Sequence, residues 1–459
     1  MKKNTLRRAF LWMLTVLMLS GLMMPAALAE EESCTLWLVT EASISNGMNA
    51  AVIAEAAQFQ KENPSVNIQI DILPNQQDER AEYLETLRGK MRNGEGPDIF
   101  MLPTRTILAL DNPQKFTYRS IEPLFSDVAY EMESGTFANI NNLYNQDKVL
   151  DKDSLNQSIM DAGMLDGARY VLPLRFNAQV IFAFDEMLAD AGISKESLTQ
   201  NIDAIMQAAL DTQNRTLAAC ADISSISTIF SGFAADKIDS PNARQVASYM
   251  KQCQALRSLR GDEIKSSSRF DYLLCASNGK SLQAAYNDML CDGLNFLAAS
   301  KETGMTLLTY PQRTTTGDTV AYVTYYGAVS SSCNAPETAY EFLRRFLTQD
   351  AIGDNEQSLL CGEWTLSPLE DGWPVRTTGS VAALWEKVAN TVSNGKLKNV
   401  QLSDSDFPIV GFEFDIVYFP VRNRANEFLS QLNDAANSYA PTDVDIDALA
   451  NALISSLTS

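Results

Sequence analysis

The chain has 459 residues and a formal net charge of −21, with 36 basic and 57 acidic side chains and no histidine. Without histidine there is no Ser-His-Asp or Cys-His nucleophile system and no histidine metal site. The negative field argues against nucleic acid as a partner, and the length exceeds a single hydrophobic core, which predicts two domains.

Residues 1–29 have the pattern of a signal peptide. Basic residues precede an apolar run from Ala9 to Met24, and Ala27-Leu28-Ala29 is a small-residue cleavage site. The apolar run is too short to span a bilayer. We therefore expect an exported chain, periplasmic or extracellular at the cell surface. A lipid anchor needs a cysteine directly after the cleavage site, whereas Cys34 comes only after Glu31-Glu32-Ser33, so we expect no anchor.

Apolar and amphipathic runs alternate from Thr35 to Thr104 in the order strand, helix, strand, helix, strand. The strands are predicted at 35–39, 66–72 and 99–102, the first helix at about 48–61, and the second with Leu84, Leu87 and Met91 on its buried side. Strands that alternate with helices run parallel. This stretch therefore predicts half of an open α/β sheet with helices on both faces.

Short polar and charged residues follow the first and third predicted strands. They are Thr40 and Glu41 in one place, and Thr104 and Arg105 in the other. Open sheets of this kind place ligands outside the carboxyl ends of their strands. We therefore expect these four residues to bind a ligand; the alternative is that they are ordinary loop residues.

The later part of the chain predicts further strands and helices. Two extended segments, 167–174 and 178–184, are joined at Arg175-Phe176-Asn177, and residues from about 198 to 301 show helical patterns. Strands follow at 305–311 and 319–327, and a helix follows Asn334. Strict alternation in the second of these strands places Tyr322, Thr324 and Tyr326 on one face and Tyr325 on the other.

Three segments carry a resemblance to a known family. They are Leu-Trp-Leu at 36–38, Phe-Gln-Lys-Glu-Asn-Pro at 59–64 and Gly-Glu-Gly-Pro-Asp-Ile-Phe at 94–100. Together they resemble the amino-terminal lobe of family 1 extracellular solute-binding proteins of ABC transporters, the family of maltose-binding protein. The resemblance implies an α/β, two-lobed periplasmic-binding-protein fold with a hinge between the lobes. It also implies that lobe 1 comprises 30–175 and 318–366, and lobe 2 comprises 176–317 and 367–459.

The same resemblance implies a function without catalysis. A monomer without metal or cofactor would capture a small solute, most commonly a carbohydrate, and deliver it to an ABC transporter membrane permease. Arg175 and Asn177 would face the cleft at the hinge; the alternative for Arg175 is a surface arginine beside a turn. Tyr418 and Arg422 match an aromatic residue and a trailing arginine that face sugar in relatives, whereas Phe419 is equally consistent with a lobe core.

Aromatic rings on the surface are expected to contact the apolar faces of a bound sugar. The exposed-aromatic candidates are Tyr325, Tyr326, Trp364, Trp373 and Tyr418, whereas Trp37 on the first strand is expected in the core.

Two other functions stay open from the sequence. An exported glycoside hydrolase needs two carboxylates and no histidine, and Glu41, Asp98 or Glu363 can be nominated. A surface sensor or adhesion protein would use the same closing fold.

The seven cysteines show no paired metal spacing. Cys275 with Cys291, or Cys220 with Cys253, are candidate local disulfides in an exported chain. The alternative is that most of the cysteines are small buried hydrophobic residues.

Overall fold

The structure is a computed structural model, and it describes most of the chain after the predicted signal peptide. The described residues are 33–41, 47–104, 107–109, 118–120, 122–220, 242–260, 285–290, 293–348, 372–377, 381, 399–407, 412–420 and 446–458. The predicted signal peptide and the candidate site residues Arg105, Trp364 and Arg422 lie outside them.

Strands and helices alternate along the described chain. The strands are β1 (Cys34–Glu41), β2 (Val66–Leu73), β3 (Ile99–Pro103), β4 (Ile107–Ala109), β5 (Tyr118–Ser120), β6 (Met164–Leu165), β7 (Ala168–Arg169), β8 (Val171–Phe184), β9 (Ala285–Met289), β10 (Leu307–Pro311), β11 (Val320–Val329), β12 (Trp373–Pro374) and β13 (Ile416–Tyr418). The helices are α1 (Gly47–Glu62), α2 (Gln77–Arg92), α3 (Val128–Glu133), α4 (Asn141–Gln146), α5 (Gln157–Asp161), α6 (Asp185–Leu188), α7 (Lys195–Leu198), α8 (Ile202–Thr212), α9 (Arg215–Cys220), α10 (Ala243–Arg260), α11 (Gly293–Thr303), α12 (Pro336–Thr348) and α13 (Ile446–Thr458).

The predicted amino-terminal half-sheet is confirmed. Strand β1 pairs in parallel with β2 on one side and with β3 on the other. The first predicted helix is α1, and its Val52, Ala56 and Phe59 are buried in the core. Phe59 packs against Phe342 of α12 with the rings in T-shaped contact. The alternation of apolar runs was sufficient to predict this part of the fold.

Strand β8 is continuous, which corrects the expectation of two segments joined at Arg175-Phe176-Asn177. All of its residues are buried. Its first half pairs with β11 and β12, and its second half pairs with β9 and β10. Because partners exist along its whole length, the backbone has no reason to turn at Arg175. One strand therefore belongs to both halves of the sheet.

The main sheet runs in the order β10-β8-β11-β3-β1-β2, with β9, β12 and β13 attached at its sides. Two hydrophobic clusters flank it. The larger lies around β1, β3, β11 and α12 and continues to α11, where Phe182 of β8 stacks on Phe296 at 4.3 Å between ring centroids. The smaller lies among α8, α9, α10 and α13 and includes Ile181 of β8. Alternate residues of one strand thus enter two different cores.

A β-bulge interrupts β11 where it runs beside the middle of β8. Val323 is opposite Phe176 and Tyr325 is opposite Arg175, so Thr324 is the extra residue. A second irregularity follows at once, since Tyr326 is opposite Pro173 and Leu174 is the extra residue on β8. Tyr322 and Thr324 are half-buried, whereas Tyr326 is buried.

Gly372 lies directly before β12, where the chain packs closely against the bulge. Its φ is +94°, and a Cβ there would lie 2.4 Å from the Phe176 carbonyl oxygen and 2.5 Å from the Thr324 hydroxyl. Neither the backbone conformation nor the space suits a side chain. This glycine therefore sets how closely the chain approaches the two central strands.

We expect Gly372→Ala to lower the free energy of unfolding by about 1–3 kcal/mol, because a buried methyl group would overlap fixed atoms. Urea unfolding followed by circular dichroism measures the change. The control is Gly89→Ala within α2, where the nearest atom to a new Cβ is 3.8 Å away. That change should be neutral or stabilising by up to about 1 kcal/mol. Equal effects of the two changes would contradict the packing argument.

Candidate functional site at the centre of the sheet

Thr40, at the end of β1, is buried and bonded to Tyr325 of β11. The Thr40 hydroxyl lies 3.0 Å from the Tyr325 hydroxyl, which donates to the carbonyl oxygen of Met101 at 2.9 Å. The contact joins β1, β3 and β11 across the sheet. Both side chains are fully buried, so the expectation that Tyr325 is an exposed ring is wrong. Thr40 and Tyr325 hold three strands in register.

Glu41 is engaged by an arginine that the sequence did not single out. Arg80 of α2 donates to both carboxylate oxygens of Glu41, at 2.7 and 2.8 Å. Arg80 also donates to the carbonyl oxygens of Pro74 and Glu122. Both ionic side chains are about 2% exposed. Burial raises the pKa of Glu41, and the Arg80 guanidinium opposes that shift. Glu41 is thus a buried partner of Arg80 whose carboxylate already has donors, and its part in ligand binding stays a prediction.

We expect Glu41→Gln to lower the free energy of unfolding by about 3–5 kcal/mol, because it leaves the Arg80 charge buried without its counter-ion. Chemical denaturation at neutral pH measures this loss. The control is Glu122→Gln, which breaks the exposed pair between Glu122 and Arg88 and should cost about 1 kcal/mol or less. A loss of under 1 kcal/mol for Glu41→Gln would show that the buried pair does not stabilise the fold.

Thr104 lies at the end of β3, against the bulge in β11. Its hydroxyl donates to the Val323 carbonyl oxygen at 2.7 Å, and its backbone N–H donates to the Thr324 carbonyl oxygen at 2.9 Å. Thr104 and Thr324 are both half-buried. The two threonines are therefore half-buried neighbours on the central strands.

Three polar side chains occupy alternate positions in the middle of β8. Arg175, Asn177 and Gln179 are 5%, 4% and 7% exposed, in a strand that is otherwise mostly apolar. Alternate residues of a strand point to one face. Arg175 donates to the Gly372 carbonyl oxygen at 3.4 Å, so it is not the surface arginine of the alternative interpretation. The row crosses the point where β8 passes from one half of the sheet to the other.

Two tyrosines meet beside this row. Tyr322 lies directly opposite Asn177 on β11, and β13 places Tyr418 beside Tyr322. The two rings are 6.1 Å apart between centroids and tilted by 47°. Both residues are half-buried. A half-exposed aromatic pair beside hydroxyl, amide and guanidinium groups suits a ligand with both apolar faces and polar edges.

Other aromatic candidates belong to the core. Tyr326 packs against Phe137 and Phe419, and burial raises its pKa well above the ordinary value. The Trp373 ring stacks on Phe407 at 4.8 Å and its indole N–H donates to the Leu290 carbonyl oxygen. The expectation that Tyr326 and Trp373 are exposed is therefore wrong, because bulky rings fill the layers above and below the sheet.

Trp37 differs from its expected place in the core. The residue is half-buried. The Lys90 ammonium of α2 lies 5.2 Å from the centroid of its ring, so the indole lies under a charged side chain at the margin of the core.

The described cysteines form no disulfide in the structure. Cys34, Cys253 and Cys333 are thiols. Cys253 is buried among the helices of the smaller cluster, as the small-hydrophobe alternative describes, and the Cys220–Cys253 bridge is not present. Cys275 and Cys291 lie outside the described residues.

Sequence reasoning missed Tyr322, Thr324, Gln179 and Arg80. A signal for Gln179 was available, since Arg175, Asn177 and Gln179 recur at every second position within an apolar run. The others depend on the bulge and on a contact between α2 and β1. Within the described part of the chain, no cluster of three or more Cys, Asp or Glu side chains is arranged to hold a metal ion, and no helix is long and apolar enough to cross a membrane.

Comparison with known proteins identifies the fold. No family model matches the chain, and no curated protein matches it. A family 1 extracellular solute-binding protein from Alicyclobacillus acidocaldarius matches with a TM-score of 0.55 and 14% identity, over 92% of this chain and 97% of that chain. The chain has the two-lobed α/β fold of the substrate-binding proteins.

Other solved structures share this substrate-binding-protein fold. A sugar transporter structure from Rhizobium etli, in an open conformation, has a TM-score of 0.55 and 13% identity over 92% of this chain and 99% of that chain. The galacto-N-biose/lacto-N-biose I-binding protein of a Bifidobacterium longum ABC transporter has a TM-score of 0.51 and 16% identity over 93% and 98%. Designed esterases match similarly, so the fold by itself does not decide between binding and catalysis.

Proposed function

We propose that the chain is an exported solute-binding protein that captures a small neutral carbohydrate between its lobes and delivers it to an ABC transporter permease. The main support is the pair Tyr322 and Tyr418, half-buried beside the polar row of β8. Sugars are bound by aromatic rings against their apolar faces and by polar groups at their hydroxyls. The Bifidobacterium relative is described in complex with lacto-N-biose.

In this proposal the lobes meet at the middle of β8 and at the start of β11. The proposed boundary at 175/176 lies three residues before β8 exchanges β11 for β9, between Ala178 and Gln179, and the one at 317/318 lies just before β11 begins. A ligand that contacts groups on both sides favours the closed arrangement by its extra contacts there. We propose Thr104, Thr324 and Asn177 as contacts beside the tyrosines, with Arg105, Trp364 and Arg422 kept as sequence-based candidates.

The structure gives little support to the glycoside-hydrolase alternative. Both oxygens of Glu41 accept from Arg80, and the Asp98 carboxylate accepts from the backbone N–H of Trp37 at 2.8 Å. Trp37 and Glu41 are separated by about 13 Å along β1 at 3.3 Å per residue. Paired glycosidase carboxylates lie about 5–9.5 Å apart on either side of one bond, and these two lie toward opposite ends of the strand.

The first experiment is thermal unfolding of the mature protein with a panel of mono- and oligosaccharides, amino acids, peptides and polyols. A ligand at about 100 times its dissociation constant should stabilise the fold by about 2.7 kcal/mol. We expect a sugar to raise the unfolding midpoint and to be recovered chemically unchanged. A cleaved product would make the chain an enzyme, and stabilisation only by amino acids or peptides would overturn the carbohydrate assignment.

Substitution at the aromatic pair then locates the site. We expect Tyr322→Ala and Tyr418→Ala each to weaken binding of the identified sugar about tenfold or more, equivalent to about 1.4 kcal/mol, because each removes a ring face. Isothermal titration calorimetry measures the dissociation constant. Tyr130→Ala is the control, since Tyr130 is 61% exposed on α3. Unchanged affinity in both site variants would place the ligand elsewhere.

A further inference from the structure

Cys34 and Cys333 lie at the end of the sheet opposite the proposed binding site. Cys34 opens β1, and pairing between β1 and β3 begins only at Leu38 with Ile99. Antiparallel β11 ends beside the same point, where Val329 is opposite Ile99. Cys333 follows in a turn closed by its backbone N–H to the Ser330 carbonyl oxygen at 3.1 Å. The two cysteines are therefore separated by hundreds of residues in sequence but share one end of the sheet.

The two cysteines also border the same core. Cys34 alternates with Leu36 and Leu38 along β1, and Cys333 lies three residues before α12 begins at Pro336. Both thiols are half-buried, and both pack against the larger hydrophobic cluster.

Asp98 connects the two positions. Its Oδ2 accepts from the Trp37 N–H at 2.8 Å, and its carbonyl oxygen accepts from the Ser330 N–H at 2.9 Å. The Cys333 thiol donates to the Asp98 carboxylate. Since β3 lies between β11 and β1 in the sheet, Asp98, directly before β3, contacts both the strand that Cys34 opens and the turn that holds Cys333.

We propose that Cys34 and Cys333 form a disulfide that ties the first strand of the fold to the segment between β11 and α12. A disulfide oxidant such as oxidised glutathione supplies the chemistry: one protein thiolate attacks it, and the second displaces glutathione. Two protein thiols lose two protons and two electrons, one S–S bond forms, and the oxidant is reduced to two thiols. The structure describes the dithiol state of this pair.

Burial and the charge of Asp98 set the rate at which the disulfide between Cys34 and Cys333 forms. Burial and the Asp98 carboxylate raise the pKa of Cys34, and the same two causes raise the pKa of Cys333 to about 12. Thiolate is the attacking species. Exchange with glutathione should therefore be slow at neutral pH and should quicken by about tenfold per pH unit below the lower of the two pKa values.

The test treats the folded protein with oxidised glutathione at pH 8.5, alkylates remaining thiols, and identifies crosslinked peptides by mass spectrometry without reduction. We expect a peptide that joins Cys34 to Cys333, and its disappearance in Cys34→Ser and Cys333→Ser. Cys253→Ser is the matched control and should retain the crosslink, because Cys253 is buried in the other cluster.

A second measurement keeps the proposal falsifiable if a variant folds poorly. In the oxidised wild-type protein, a reductant should lower the thermal midpoint and return two alkylatable thiols, with Cys253→Ser behaving in the same way. Alkylation of both Cys34 and Cys333 after prolonged oxidation of the folded protein would overturn the proposal. So would a crosslink from either cysteine to any other residue, including one on a second copy.

Discussion

Strand β8 has to satisfy two sets of partners at once, and the rest of the structure depends on how it does so. Its backbone pairs with β11 and β12 along one half and with β9 and β10 along the other. Side chains on its two faces enter separate hydrophobic clusters, as Phe182 and Ile181 do. This pairing satisfies backbone N–H and C=O groups that would otherwise be buried without partners. The polar side chains there are thus fixed by the same pairing that joins the two halves.

This constraint explains why the candidate site lies at the centre of the sheet. Arg175, Asn177 and Gln179 are polar groups in a buried strand, and burying such groups without partners costs free energy. Next to this row, the bulge in β11 has its Val323 carbonyl oxygen 2.7 Å from the Thr104 hydroxyl. Polar groups therefore lie in the middle of the paired strands β8 and β11, while the rings of Tyr326 and Trp373 are buried in the core.

The sequence predicted the parts of the fold that depend on local periodicity. Apolar residues that recur with periods of two and of about 3.6 residues predict strands β1, β2 and β3 and helix α1. Prediction from the sequence failed where contacts with distant segments decide whether a side chain is buried. Glu41 was expected to bind a ligand because its partner could not be predicted. That partner, Arg80, lies on α2, and the apolar stripe of α2 does not indicate that one of its charged residues is buried. Alternation places Tyr325 and Tyr326 on opposite faces, and both are buried because segments distant in the sequence cover them. Thr40 and Met101 contact Tyr325, and Phe137 and Phe419 contact Tyr326. The binding site therefore stays a prediction, whereas the exposure expected for Tyr325, Tyr326 and Trp373 was wrong.

The position of β11 also has a consequence for how the chain is made. Residues 320–329 lie between β8 and β3 in the sheet, although β3 is complete at Pro103 and β8 at Phe184. During synthesis, the backbone groups along one edge of β3 and one edge of β8 therefore stay unpaired until β11 has been added. Contacts between residues so far apart slow folding, and waiting strand edges invite pairing with other chains. The order of synthesis thus leaves the nascent chain unable to close its central sheet until residue 329 has been added.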